Sequence, residues 1–399
     1  MNMTPKMEEE VLAVLRQPMD DVVGWVCHAL ETIFNGVMEV EAQRLTRRRS
    51  GKGPALDHRS GFYTRTYPSP FGPLELKEPR LRRSPFASAL LACFEARQKK
   101  LKELVTAMHH EGLGTRPISR IMEDHLEEGM SHTTVSRICR EAHGELEAWR
   151  TRPLTGPYPI LALDALYLPC RSVLEPANKT GLAVGKRAVL IALGIKGDGH
   201  REVLGAMMAP REDAALWGAF IADLKERGLI GTRLVLGDGH PGLMAAVADQ
   251  LPGCRFQSCA VHLQRRVLQS TQLRFRKGLA KKLRAIFTRG SGKSAQGAAR
   301  RAMEWLADRG QDKAGEALAR GLAASLTYLA FSKGLWRRIR TNNLAERINR
   351  EVRRRTDAVG AFPDARSALM LVCARLRLVD RKWAREDAPY MDVTEFLAA

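Results

Sequence analysis

The chain has 399 residues, with 64 Lys and Arg against 44 Asp and Glu and a formal net charge of +20. That length buries a substantial core and divides into two or three domains, and so large a positive surplus favours a polyanionic partner. The longest clean apolar run, residues 188–195, cannot span a bilayer, and the acidic N-terminus is not a signal peptide, so a cytoplasmic, nucleoid-associated protein is expected.

Residues 7–46 read as a helix with Val11, Leu15, Val22, Val26, Leu30 and Ile33 on one apolar face. The run Arg47-Arg-Arg-Ser-Gly-Lys-Gly-Pro54 interrupts it, so 1–54 forms an N-terminal helical segment and a candidate oligomerisation element. Residues 55–155 are assigned as a DNA-binding region. Its first part, rich in Gly, Pro and aromatics, predicts a β-hairpin arm carrying Arg65. Three helices follow: 98–111, bounded by Gly112; 116–128, with Thr115 as cap and Gly129 as stop; and one capped by Ser131 running to Trp149. Helix, glycine turn and a second helix beginning Ser131-His-Thr-Thr-Val-Ser-Arg137 match a helix-turn-helix reader, with Thr133, Thr134 and Arg137 as DNA-contacting candidates. An ordinary helical hairpin has the same pattern, and the residues leave both open.

The central third changes character. Strands at 160–168, 187–195 and 201–208 precede a helix at 212–227, which has Glu212 and Asp213 in its first turn and Gly228 as its stop. A strand at 233–237, a helix at 241–250 and a strand at 254–258 follow. A meander and then alternating helix and strand imply an α/β mixed sheet with helices on its faces, the succession of a ribonuclease H-like core. The core's first part is 156–259, a helical insertion occupies 260–335, 336–382 completes the core and 383–399 is a tail. Between Asp249 and Glu304 there are thirteen Lys or Arg and no acid, so this stretch, with Arg265 and Arg266, lies against a polyanion or in solvent.

Three remote acids stand out. Asp164 interrupts an apolar strand with no adjacent cation, where a buried charge costs several kcal/mol unless compensated. The bland alternative is a strand with one polar side. Gly-Asp-Gly-His occurs at 197–200 and at 237–240. The first copy joins two strands and suits a hairpin turn; the second ends a strand before a helix, where ligands collect in α/β sheets, and this selects Asp238. His240 is a candidate to support the site, and the alternative is that it serves the helix start. On the last arginine-rich helix, Glu346 and Glu351 lie about 140° apart, so both cannot face one ion. Glu346 shares a polar face with Asn342, Asn349, Arg350 and Arg353, whereas Glu351 suits an i±4 pair with Arg347 or Arg355. Oxygen-only ligands at Asp164, Asp238 and Glu346 suit Mg²⁺ or Mn²⁺. Arg340, Arg347, Arg350, Arg353 and Arg354 would hold a DNA strand by its phosphates, or form a solvated basic face. Cys259 and His262 are too few for a structural zinc site, and a Cys–His nucleophile pair would lack a nearby orienting acid, so local packing is the reading from these residues alone.

Together these motifs resemble the bacterial insertion-sequence transposases of the Mutator-like group. The likeness runs from about 59 to 378 and rests on Arg59-Ser-Gly-Phe-Tyr-Thr-Arg65, Trp149-Arg-Thr-Arg-Pro-Leu154, Leu163-Asp-Ala-Leu-Tyr167, Arg201-Glu-Val-Leu-Gly205, Leu224-Lys-Glu-Arg-Gly-Leu229, Asp238-Gly-His-Pro-Gly-Leu243, Cys259-Ala-Val-His262 and the helix from Asn343 to Arg355. Ser258 departs from the arginine usual before that cysteine. The resemblance implies a ribonuclease H-like fold with an insertion before the glutamate, and a DDE triad of Asp164, Asp238 and Glu346. It makes Cys259 and His262 a C-x-x-H signature supporting the site. It also implies recognition of the element's own terminal inverted repeats, strand transfer into target DNA, and at least a homodimer on DNA. Two rivals use the same residues: a non-catalytic helix-turn-helix regulator and a metal nuclease without strand transfer.

Overall fold

The computed structural model of the chain describes residues 22–46, 57–69, 72–111, 113–125, 130–172 and 183–397, with the single positions 9, 12 and 13. The expected linker at 47–54, the glycines at 112 and 129 and much of the expected helix before residue 22 lie outside the described residues. Two compact units are present: Met1–His109 with Leu113–Glu141, and Ala142–Ala399 with His110–Gly112.

In the first unit, α1 (Val22–Thr46) packs on an antiparallel hairpin of β1 (Arg59–Ser69) and β2 (Gly72–Leu81). The hairpin turns Tyr67, Leu74 and Leu76 towards Met38 and its neighbours, forming a small core. The free edge of β2 is covered from α1: Glu31 accepts from the Glu75 N–H at 2.6 Å and Asn35 from the Lys77 N–H at 2.7 Å. A bare strand edge is a pairing hazard, and these two side chains satisfy it. Helices α2 (Ala89–His110), α3 (Thr115–His125) and α4 (His132–Arg150) follow. Val105, Ile118, Met122, Val135 and Ile138 form their shared core. Ser131 caps α4 as expected, its Oγ accepting from the Thr134 N–H at 3.2 Å. The predicted start of α2 at residue 98 is late by nine positions, because Ala89-Leu-Leu-Ala-Cys-Phe94 continues the helix upstream.

The second unit is built on β3 (Ile160–Ser172), β4 (Ala183–Ile195), β5 (Arg201–Ala209), β6 (Leu234–Gly237) and β7 (Arg255–Ser258), in the order β5-β4-β3-β6-β7. The first three form an antiparallel meander, and β6 and β7 add in parallel beside β3. Alternation along β3 sends Leu161 and Leu163 to one face, where Trp217, Phe220, Ile221 and Leu243 of α5 (Ala214–Glu226) and α6 (Pro241–Gln250) cover them. Ile160, Ala162, Leu166 and Leu168 face the other side and join a core shared with the later helices.

Those helices are α7 (Ala260–Gln269), α8 (Leu273–Phe287), α9 (Gly292–Ala307), α10 (Asp312–Ser325), a 3₁₀ turn (Thr327–Ala330), α11 (Lys333–Ile339), α12 (Asn343–Val359), α13 (Ala365–Trp383) and the short α14 (Thr394–Leu397). Leu279, Leu283, Ile286 and Phe287 of α8 are buried in that core with the alanines of α9, while Arg274, Lys277, Lys281 and Arg284 stay exposed. Hence the one-sign charge lies on the outer face and the core helices pack through apolar residues. No described helix is long and apolar enough to cross a membrane.

One expected pairing is corrected. Glu351 pairs with Arg354 at 3.5 Å and with Arg375 of α13 at 2.6 Å, not with Arg347 or Arg355. Arg355 instead meets Glu111 at 2.6 Å. A largely buried guanidinium draws Glu351 across the helix pair, overriding the i±4 geometry of a lone helix.

Candidate active site

Strands β3 and β6 run parallel, with Ala162 opposite Leu236. Two residues further along stand Asp164, within β3, and Asp238, just past the carboxyl end of β6. Asp238 sits in a sharp turn: its Oδ1 accepts from the His240 N–H at 2.9 Å, and Gly239 has φ of 76°. A Cβ at Gly239 would come within 2.3 Å of the Ser258 Oγ, so both backbone sign and space require glycine. The earlier copy, Asp198-Gly199-His200, makes the same turn between β4 and β5 and belongs to the hairpin, as expected.

The third acid arrives on α12. Its approach is set by Asn342, 1% exposed, whose Nδ2 donates to the Leu163 carbonyl at 3.1 Å and whose backbone N–H donates to Cys259 Sγ at 3.3 Å. The Glu346 N–H closes the first turn onto the Asn342 carbonyl. One turn later, Asn349 donates its amide to Asp164 Oδ2 at 2.8 Å, while Asp164 Oδ1 accepts from the Ala165 N–H. Asn342 and Asn349 therefore hold the helix that carries Glu346 against the strand that carries Asp164. A carboxylate in a first turn also meets the favourable end of the helix dipole.

The electrostatics of this edge are strained. Burial, then Asp238, and to a lesser degree Glu212 and Glu346, push the Asp164 carboxyl up to about 7 against the Ala165 N–H. Glu212 is a fourth acid, which its sequence context marks only as a helix first-turn residue. Its Oε1 accepts from Trp217 Nε1 at 3.1 Å and lies 3.6 Å from His240 Nδ1, and burial followed by Asp238 raises its carboxyl above the usual range. His240 is the cap residue of α6 but makes no side-chain cap bond and faces this acid instead.

Glu346 Oε1 lies 3.7 Å from His262 Nε2 and 3.8 Å from an Arg265 guanidinium nitrogen, and it is buried with no hydrogen-bond partner. Among the described residues, one group of three Cys, His or acid side chains brings its ligand atoms within 4.8 Å of one another, and it is Cys259, His262 and Glu346. The three carboxylates do not close to that distance. The expectation that the Cys259–His262 pair lacks a neighbouring acid is corrected: the acid lies some eighty residues on and is delivered by the Asn342 contacts. Burial pushes the Cys259 thiol up, so it is not an activated nucleophile.

Of the arginines singled out in sequence, Arg265 and Arg266 sit at the site, Arg266 donating to the Asp238 carbonyl at 3.2 Å. Arg347, Arg350, Arg353 and Arg354 are exposed along α12. Arg340 turns inward to donate to the Phe287 carbonyl at 2.6 Å. In the other unit Arg65 pairs with Glu78 at 3.6 Å and Arg137 with Glu141 at 2.6 Å, while Thr133 is exposed and Thr134 half-buried.

Comparison with known proteins gives the family. The family model described as "Transposase, Mutator family" matches residues 3–386. The transposase for insertion sequence element IS1081 of Mycobacterium tuberculosis is 34% identical over 360 residues, covering 89% of this chain and 84% of that protein. The transposase for IS256 in transposon Tn4001 of Staphylococcus aureus is 29% identical over 392 residues, 96% of this chain and 97% of its own length. The transposase for IS406 of Burkholderia multivorans is 34% identical over 331 residues, 82% of each chain. The chain belongs to the Mutator family of transposases and acts in DNA transposition.

Proposed function

We propose that this transposase is a DDE enzyme with a ribonuclease H-like core, in which Asp164, Asp238 and Glu346 hold Mg²⁺ or Mn²⁺ and act on the phosphodiesters at the ends of its own element. The observation that carries the reading is the half-buried Asp164 carboxylate, set within β3 beside Asp238, where the neighbouring parallel strand β6 ends, and held up to about 7 by desolvation and by other acids. Among the described residues, no cationic side chain pairs with it. A divalent ion fits that deficit, and an all-oxygen donor set selects a hard one. When bound, such ions activate an attacking water or 3′-hydroxyl and stabilise the leaving oxygen of an in-line displacement.

The chain's own residues supply the positioning. Asn349 fixes the Asp164 carboxylate, Asn342 anchors α12, and His262 and Arg265 flank the oxygen of Glu346. Drawing Glu346 in to the two aspartates is part of the proposed engaged state. The exposed arginines of α12 would grip the scissile strand, and the release of counterions from that strand makes binding salt-dependent. In the first unit, α3 and α4 are proposed as a helix-turn-helix reader of the terminal inverted repeats, with the hairpin arm and Arg65 on the flanking DNA. Joining two ends in one event calls for at least a dimer, with α1 as candidate contact.

The test is purified protein with Mg²⁺ or Mn²⁺, labelled element-end DNA and a plasmid target, comparing wild type with Asp164→Asn, Asp238→Asn and Glu346→Gln. Joined products from wild type alone are expected. Cleavage without joining would reduce the protein to a nuclease, and metal-independent function surviving Asp164→Asn would leave a DNA-binding regulator.

A further inference from the structure

We infer that Cys259, His262 and Glu346 form a second cation site, selective for a borderline-soft divalent ion of the zinc class, and that it competes with the Asp164–Asp238 side for the same glutamate. The ligand atoms already lie within 4.8 Å of one another. Around tetrahedral zinc, with bonds of about 2.0–2.3 Å, ligand atoms stand roughly 3.5 Å apart, so closure by little more than about 1 Å completes three corners. Thiolate, imidazole and carboxylate together reject Mg²⁺, which demands oxygen, and accept zinc.

Three further observations favour an ion here over packing. Glu346 Oε1, the oxygen that faces His262 Nε2, is buried without a hydrogen-bond partner, which a packed cluster would leave at a cost of about 1–3 kcal/mol. His262 and Glu346 remain partly exposed, at 27% and 22% of their side chains, so an ion has an entry path to the buried Cys259. The scaffold is rigid, since the Asn342 N–H points at Cys259 Sγ and the Ala260 N–H is tied to the Arg340 carbonyl at 3.1 Å. Binding replaces the thiol proton, which leaves to water, and the fourth corner stays open to a water molecule as in three-ligand zinc sites. The Arg265 guanidinium, exposed and at 3.8 Å, is free to swing away.

Sharing Glu346 has a functional outcome, and this part alone rests on the DDE reading: an ion held by Cys259 and His262 draws the glutamate from Asp164 and Asp238, so zinc suppresses Mg²⁺-dependent cleavage. Binding is measured without catalysis, by titrating the full, DNA-free chain with Cd²⁺ and Co²⁺. One equivalent is expected, with the ultraviolet thiolate-to-cadmium band and the visible spectrum of tetrahedral Co²⁺. Cys259→Ser abolishes the thiolate band. His262→Gln and Glu346→Gln, at partly exposed positions, weaken binding by at least the roughly tenfold that even the loss of a ligand's supporting hydrogen bond brings. Asp164→Asn leaves it intact. Absence of the band, or its persistence in Cys259→Ser, overturns the site. Unchanged affinity in Glu346→Gln overturns the sharing. Failure of the DDE reading registers separately, as absent Mg²⁺-dependent cleavage in zinc-free wild type.

Discussion

Asp164→Asn should stabilise the metal-free protein while removing its chemistry. In the folded chain the carboxyl is raised from its usual 3.8 to about 7, with burial as the first cause and Asp238 as the second. The folded state therefore keeps the proton to higher pH than the unfolded one. The group's contribution is intact below the unfolded value and is lost as pH rises through about 7. Three units at about 1.4 kcal/mol each give a penalty near 4 kcal/mol by pH 8, of which less than half is in force at pH 5. An asparagine at 164 is neutral throughout and can still accept from the Asn349 amide. Urea unfolding of wild type and Asp164→Asn, in chelator, should show the variant's advantage growing by about 2–3 kcal/mol between pH 5 and pH 8. Mg²⁺ should then stabilise the wild type at pH 8 and leave the variant unmoved. Parallel pH–stability curves for the two proteins would refute the reasoning, because they would mean that Asp164 carries no excess charge energy in the fold.

Asn342→Ala strands the Leu163 carbonyl and loosens α12; a loss of about 1–3 kcal/mol in unfolding free energy is expected, with a larger proportional fall in cleavage than in DNA binding measured by fluorescence anisotropy. Glu212→Gln keeps the acceptor for Trp217 and lowers the negative potential at Asp238, so the Mg²⁺ concentration for half-maximal cleavage should rise severalfold with the maximal rate little changed. Removing Arg347 and Arg350 together should flatten the log-affinity against log-salt plot by about one unit for each phosphate no longer neutralised, and weaken all DNA sequences alike. Leu283→Ala in α8, a fully buried site, should cost about 2–5 kcal/mol in thermal or urea unfolding without altering the DNA-free cadmium spectrum.

Much of the sheet and its edge was legible because the signals are local. Apolar strand-like runs located β3, β4 and β5, and the helix expected at 241–250 matches α6. The strand-to-helix edge separated Asp238 from the other Gly-Asp-Gly-His copy. Strand β3 runs on to Ser172, past the expected end at Leu168, because Pro169 turns its carbonyl to the Phe362 N–H and not to β4, so its missing N–H costs the ladder nothing. What escaped the sequence depends on distant partners. Glu212 looks like any acid in a helix's first turn until β6 places Asp238 beside it. Cys259 and His262 look like packing until α12 returns with Glu346. Arg375 reveals itself as the partner of Glu351 only when α13 lies along α12.

The three bonds of Asn342 reach β3, β7's end and the glutamate's own backbone, yet the residue follows all five strands by more than eighty positions. A ribosome that has finished the insertion has already released every strand and two of the three acids, but neither the clamp nor the glutamate. On the proposed DDE reading, chemistry is withheld until α12 emerges, by which time the hairpin and its neighbouring helices have long been outside the tunnel. By the same reading, a message broken anywhere between those helices and that asparagine would yield a chain that keeps its first unit and lacks the proposed catalytic glutamate.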